Sequence, residues 1–308
     1  MAWVALGSYL RKSSLRPALL HGNTAFDLEE AARLAGVKLA KTWLGGDVAA
    51  IIRDWDEAAA PVRRLAESRK LAEADLERIA IPELKAPYRP ARIFCAASNF
   101  IEHANEMGTV LAAKAQSRPY MFLKLQNTVI GPGEAVRKPP ETSQLDWEVE
   151  LGAVIGRRAR RVAVERALDY VAGYTVINDV SARDLNVRSD YPFKFDWFQG
   201  KCHDTFAPFG PCIVPAWLIA DPQDVKMKLT VNGEAMQEDS TGNMIWSVRE
   251  QIAYLSTIVT LEPGDVIATG TPTGVGMGRG IFLKSGDMME ASIEGIGAIR
   301  NPVEDETI

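Results

Sequence analysis

Leu145-Asp146-Trp147-Glu148-Val149-Glu150-Leu151 is the stretch of this 308-residue chain on which the reading of the fold turns. Alternate residues of a strand point to the same side. A strand here places Asp146, Glu148 and Glu150 on one face and Trp147, Val149 and Leu151 on the other. The apolar continuation Ala153-Val154-Ile155 carries that strand into a core. Three carboxylates on one face repel one another unless something cationic neutralises them. A solvated acidic face is the simplest account of the pattern.

A second acid competes with that account. Thr175-Val176-Ile177-Asn178-Asp179 reads as an apolar strand with a carboxylate at its end, where a rigid support can project a functional group. Two glutamates at i and i+2 with a remote aspartate form a hard oxygen-donor set. Such a set suits Mg²⁺, Mn²⁺ or Ca²⁺ and leaves positions open for water or substrate. With neither Cys nor His in the cluster, zinc fits less well.

Outward from this strand the chain from Arg92 onward is mostly β. Short apolar runs alternate with Gly/Pro turns at Arg92–Ala96, Tyr120–Leu125, Val149–Ile155, Tyr174–Ile177, Cys212–Pro215, Lys226–Val231, Asp265–Thr269 and Met288–Ile293. Asn232-Gly233 signals a hairpin. Helices are expected at Val164–Val171 and at Ser247–Ile258, where Val248, Ile252, Leu255 and Val259 share one face. The region before it differs. Trp3 to Leu20 reads as a small hairpin. From Phe26 to about Ala80 the chain is rich in Ala, Leu, Glu and Arg, with Asp27 as an N-cap and Gly36 as a C-cap. Asp47 to Glu67 supplies one or two further helices. Three prolines in Ile81–Pro90 forbid continuous helix and mark a linker. The expectation is an α+β, mainly β protein: a small helical N-terminal domain over residues 1–85 and a larger domain over 91–308.

Bulk properties narrow the partners. Apolar residues make up 47%, charged residues 24%, and the formal net charge is −5. This balance argues against a phosphate-backbone binder, so no nucleic-acid partner is expected. Cys95, Cys202 and Cys212 form no CxxC pair and no disulfide framework, which points to a cytoplasmic home. The N-terminus lacks a signal-peptide pattern, and no stretch approaches the ~18 apolar residues of a membrane span.

His103 lies in Asn99-Phe100-Ile101-Glu102-His103-Ala104-Asn105-Glu106. On a helix His103 and Glu106 are i, i+3 neighbours, and a carboxylate beside an imidazole makes a base able to activate water. A surface ion pair is the competing account. Thr269-Gly270-Thr271-Pro272-Thr273-Gly274-Val275-Gly276 resembles a nucleotide loop but meets neither glycine pattern, because no Gly-Lys-Ser/Thr follows and Arg279 stands where a third glycine is needed. It is either a plain turn or a turn facing a ligand. Lys124 and Lys201 are surface charges or stabilisers of developing negative charge. Cys202 has no dedicated base and is not read as a nucleophile.

Taken together these segments resemble the fumarylacetoacetate hydrolase family. The resemblance is carried by Phe122-Leu123-Lys124, Asp146–Leu151, Val171–Asp184, Gly200-Lys201, Asp204–Pro211, Val231–Glu234 and Leu261–Pro272, in that order. It implies a β-roll of mixed sheets, usually in a homodimer. It implies Mg²⁺ or Mn²⁺ held by Glu148, Glu150 and Asp179, and a catalytic group of His103, Glu106 and Lys201. Lys124, Arg183, Asn186 and Thr271 fall at substrate-binding positions. The implied partner is a small 2-oxo acid. The implied reaction is hydrolysis of a C–C bond in a β-diketo acid, such as an acylpyruvate, through a metal-stabilised enolate. Decarboxylation or keto–enol isomerisation of related dioic acids in aromatic catabolism uses the same intermediate. Three positions depart from the family: Ser98 stands where an arginine is frequent, Asn186 where glutamine is, and His203 where an aromatic is.

Overall fold

Val149–Ile155 lies at the heart of an 11-stranded mixed sheet in a computed structural model that describes residues 3–22, 24–71, 76–108 and 110–307. Residues 1–2 of the N-terminal stretch and 72–75 of the Ala/Leu-rich region lie outside the described residues. Across the sheet the strands run Thr24–Asp27, Ser14–His21, Val4–Arg11, Ala207–Pro215, Val171–Asn178, Val149–Ile155, Val266–Ala268, Ile93–Ala97 and Tyr120–Lys124. Two short strands pair off this path, Leu84–Lys85 with Val4–Arg11 and Val129–Ile130 with Ala207–Pro215. Most neighbours are antiparallel. Val266–Ala268 runs parallel to Ile93–Ala97, which makes the sheet mixed. A second sheet has the order Glu234–Ser240, Lys226–Val231, Met288–Ile293, Gly297–Asp305, Val136–Lys138.

Period-2 alternation splits the central strands between two apolar layers. Leu151, Ala153, Tyr174, Val176 and Val214 pack with Met227, Leu229, Met289 and Ile299 of the second sheet. Val154, Ala172, Ile177 and Ile213 pack with Ile51, Ile52, Trp55 and Leu65 of the N-terminal helices. The layers are therefore helices, large sheet, small sheet. Strands buried on both faces read as nearly continuous apolar runs, and Val149–Ile155 and Val171–Asn178 are buried at every position.

Local signals set the helices. Leu28–Ala35 begins where Asp27 accepts the Glu29 and Glu30 N–H groups and ends at Gly36, whose φ of 71° is left-handed. Trp55–Glu67 buries Trp55, Ala58, Val62 and Leu65. Val248–Ile258 starts at Ser247 with a reciprocal capping box to Glu250. The run at Val164–Tyr170 is 3₁₀ rather than α.

The strand through the acidic motif is not continuous. Leu145–Asp146 pairs with Ser181–Ala182, and the main strand begins at Val149, with Trp147 and Glu148 between. The N-terminal region, expected to be helical, holds strands as well as helices among the described residues, and Leu6 lies opposite Ile213 of the larger region. Residues 81–90 are held in place: Leu84 pairs with Tyr9, and the Tyr88 hydroxyl donates to the Gly264 carbonyl at 2.9 Å. Among the described residues no helix is long and apolar enough to cross a membrane.

Candidate active site

Register brings the acids together. Val149 lies opposite Asn178 and Glu150 opposite Ile177. One step further the Asp179 N–H donates to the Glu148 carbonyl at 2.9 Å, and the Asn178 Oδ1 accepts the Glu148 N–H at 2.9 Å. Glu148, Glu150 and Asp179 then each offer a carboxylate oxygen within 4.8 Å of the others. They are only 5%, 1% and 1% exposed, which excludes a solvated acidic face. Asp146 is as deeply buried and is linked to the trio through Arg183.

Three cations surround these acids. Lys201 Nζ lies 2.8 Å from Glu148 Oε2 and 2.7 Å from Asp179 Oδ2. Lys124 Nζ lies 2.5 Å from Asp179 Oδ1 and also donates to the Val180 carbonyl. Arg183 donates through Nε to Asp146 Oδ2 at 2.8 Å, and its Nη2 lies 2.6 Å from Glu148 Oε1. Burial raises the Glu148 pKa, but Lys201 and Arg183 outweigh it and hold the carboxyl down at about 2. Burial lowers the Lys201 ammonium, yet Asp179 and Glu148 raise it further, so Lys201 remains a fixed positive charge.

Glu150 is different. Among the described residues its carboxylate receives one hydrogen bond, from the Gly270 N–H at 2.8 Å. Burial, with Asp179 and Glu148 alongside, pushes its pKa well above the usual carboxylate range. Four buried carboxylates thus face three cations, and the excess charge falls on Glu150. An uncompensated buried charge is costly. A cluster of hard oxygen donors with one unmet negative charge is what a divalent cation would complete, so the residues fit Mg²⁺ or Mn²⁺.

The histidine pair sits on the short helix Ile101–Glu106. His103 is 5% exposed, and its Nδ1 lies 3.5 Å from Glu106 Oε2, so this is not a surface ion pair. Both Glu106 oxygens accept the Gly274 N–H at 3.0 Å. Burial would raise the Glu106 carboxyl, but the adjacent His103 ring and the Gly274 N–H hold it below its ordinary value. Asn99 fastens the approach to this helix. Its side chain donates to the Trp246 and Thr269 carbonyls and accepts the Trp246 N–H.

Of the other expected positions, Thr271 is committed to protein partners and Asn186 is not. Thr271 Oγ1 donates to the Val149 carbonyl at 3.0 Å and accepts from Gln237 Nε2 at 2.8 Å. Asn186 packs on the bare backbone of Gly200, where a Cβ would collide with it, beside Lys201. Its Oδ1 is buried with no hydrogen-bond partner among the described residues. The Cys202 thiol is pushed up by burial and donates to the Leu123 carbonyl, consistent with an inert thiol. Gln237, 1% exposed, was not foreseen. Its Oε1 accepts the Val149 N–H, and its Nε2 also donates to the Pro272 carbonyl. Nothing in the polar hairpin strand Glu234–Ser240 marks it.

Comparison with known proteins matches this arrangement. The description of the fumarylacetoacetate (FAA) hydrolase C-terminal domain matches residues 92–304. The chain belongs to the fumarylacetoacetate hydrolase family. A relative in Rattus norvegicus, named oxaloacetate tautomerase Fahd2a, mitochondrial, is 40% identical over 70% of this chain and 67% of its own length. A solved fumarylacetoacetate hydrolase from psychrophilic Exiguobacterium antarcticum superposes with a TM-score of 0.75 at 31% identity, covering 98% of this chain and 100% of its own. The fumarylpyruvate hydrolase of Pseudomonas aeruginosa, solved with Mn²⁺ and pyruvate, has a TM-score of 0.64 at 33% identity over 72% of this chain and 91% of its own. Members of this family therefore include hydrolases and tautomerases, and the mainly β, mixed-sheet fold is the family's.

Proposed function

We propose that this chain forms and discharges the enolate of a small 2-oxo acid, with Glu148, Glu150 and Asp179 holding Mg²⁺ or Mn²⁺ and His103 moving the proton. The observation that carries the reading is the under-compensated buried trio, set beside a His–Glu pair and two buried lysines. A divalent cation in that trio would supply Lewis acidity to the 2-oxo group. The residues do the rest. Glu106 Oε2 lies 3.5 Å from His103 Nδ1, a carboxylate placed to favour the imidazolium that forms when the ring takes up a proton. Lys201 and Lys124 present fixed positive charge to an anionic acid and to negative charge growing on its oxygens.

Two reactions use this apparatus. In keto–enol tautomerisation of an oxaloacetate-like acid, His103 takes the proton from the carbon beside the keto group and the keto oxygen gains one. The 40% identical rat tautomerase supports this first reading. In hydrolysis of a β-diketo acid, His103 takes a proton from water, the water oxygen attacks the distal carbonyl, the C–C bond breaks to leave one acid and an enolate, and His103 returns the proton to the enolate carbon to give the second acid. The Pseudomonas fumarylpyruvate hydrolase supports this second reading.

A turnover screen over oxaloacetate, acylpyruvates and fumarylpyruvate-like acids, with and without Mg²⁺ or Mn²⁺, separates them by product. A changed keto/enol ratio marks a tautomerase, two acids a hydrolase, and carbon dioxide a decarboxylase. His103→Ala is expected to lose roughly 10²- to 10⁴-fold in kcat. Full metal-dependent turnover by that variant would sink the proton-carrier role.

A further inference from the structure

The glycine-rich stretch from Thr269 matches no nucleotide loop, and its contacts have a common character. The Gly270 N–H donates to Glu150 Oε2 at 2.8 Å. The Gly274 N–H donates to both Glu106 oxygens at 3.0 Å. The Gly276 N–H donates to Asp146 Oδ1 at 2.6 Å, and the Met277 N–H to Asp146 Oδ2 at 3.0 Å. One loop thus meets three carboxylates from three separate elements. Asp146 in turn receives Arg183 Nε, and the other end of that guanidinium lies against Glu148. The loop therefore touches the acidic trio from two sides and the His–Glu pair from a third.

The glycines follow from these contacts. Gly270 and Gly274 have φ of 101° and 100°, a region that side chains rarely adopt. A Cβ at Gly274 would collide with the Met236 carbonyl. Gly278 has no such backbone constraint, yet a Cβ there would collide with Cγ and the carboxyl group of Glu106. Its bare backbone leaves the room in which the Glu106 side chain reaches Gly274 on one side and His103 on the other.

We propose that residues 270–278 form a positioning element that sets Glu106 against His103 in register with the acidic trio, and that Gly278 is the residue whose missing side chain permits it. This rests on the proton-carrying role proposed for His103. The loop bonds protein carboxylates through its amides. It acts through Glu106 on the imidazole and through Asp146 and Arg183 on Glu148.

The test is Gly278→Ala in the metal-loaded protein, alone and combined with Glu106→Gln. The added methyl meets a flexible side chain, so the variant is expected to fold and to displace Glu106. Expected results are a kcat lowered roughly 10- to 100-fold, unchanged KM and Mn²⁺ affinity, and little further loss in the Glu106→Gln background. Nitrogen-15 shifts of the His103 ring, read against His21 and His203, should change from a single tautomer to a mixture. Wild-type kcat with unchanged ring shifts, or losses that simply add to those of Glu106→Gln, would overturn the proposal. If Gly278→Ala does not fold, Asp146→Asn weakens the anchor of the same loop at the Gly276 and Met277 N–H groups without filling space, and the same cycle decides. The ring shifts need no substrate. A wild-type protein that turns over no acid would remove the proposed function and still leave the loop's role decided.

Discussion

Glu150 carries the clearest electrostatic tension in the molecule. It is buried, accepts a single amide hydrogen bond and has two anionic neighbours. Replacing it by glutamine removes charge and keeps shape. Glu150→Gln is therefore expected to leave the metal-free protein as stable as wild type or more so, while abolishing the rise in Tm on adding Mn²⁺. Differential scanning calorimetry with and without the ion reads both. A lowered metal-free Tm would mean that Glu150 is compensated by a partner not identified above. Glu106 gives a pH prediction. Its folded pKa lies below its ordinary 4.5, so its contribution is fully present above that value and is lost as pH falls through the lowered one. Denaturation at pH 6, 4 and 3 should show the stability gap between wild type and Glu106→Gln shrinking in acid. A gap that stays flat counts against the pairing.

Elements carry these residues to one place by register and by polar clamps. The helix Ile101–Glu106 is too short to hold itself. Asn99 stitches its approach to Trp246 and Thr269, and the side chain of Gln251, from the helix Val248–Ile258, bonds the same two carbonyls. Asn99→Ala leaves the Trp246 N–H without its acceptor and the two carbonyls with one donor fewer, and is expected to cost about 1–3 kcal/mol. Turnover should fall more than the stability loss explains, while Mn²⁺ binding stays. Isothermal titration beside steady-state kinetics checks this, and equal loss of both would place Asn99 at the trio rather than at the pair.

At the scale of the whole molecule, the N-terminal strands extend the large sheet and their helices cover one of its faces. Leu6 is fully buried and pairs with Ile213. Leu6→Ala is expected to cost about 2–5 kcal/mol and to lower one cooperative transition. Two separate melting steps would show that the regions unfold independently. The opposite flank exposes Tyr120, Tyr191, Phe193, Phe195 and Phe198, each more than half accessible, with Phe122 and Phe195 stacked on Trp197. Exposed clusters of aromatic side chains mark association surfaces. We expect a homodimer through this flank, with Phe193→Glu/Phe195→Glu sedimenting as a monomer. A wild-type monomer at micromolar concentration would refute that.

Patterns along the chain determined the β content, the bounds of Val149–Ile155, Lys226–Val231 and Met288–Ile293, and the caps at Asp27 and Gly36. These are local properties: side-chain alternation, turn chemistry and orphan amides act over a few residues. The family pattern named Glu148, Glu150, Asp179, His103 and Glu106. Alternation alone grouped Asp146 with the two glutamates, and only the break at Trp147 and Glu148 turns Asp146 towards Arg183 and the glycine loop. Tertiary structure alone decided that Asp179 meets Glu148, that Gln237 ties Val149 to Thr271, and that a loop resembling a nucleotide site grips carboxylates instead. Each depends on pairing between segments far apart in sequence, such as the 120 residues from Glu150 to Gly270. No local preference encodes such a contact; it exists only once the sheets have closed on their shared core.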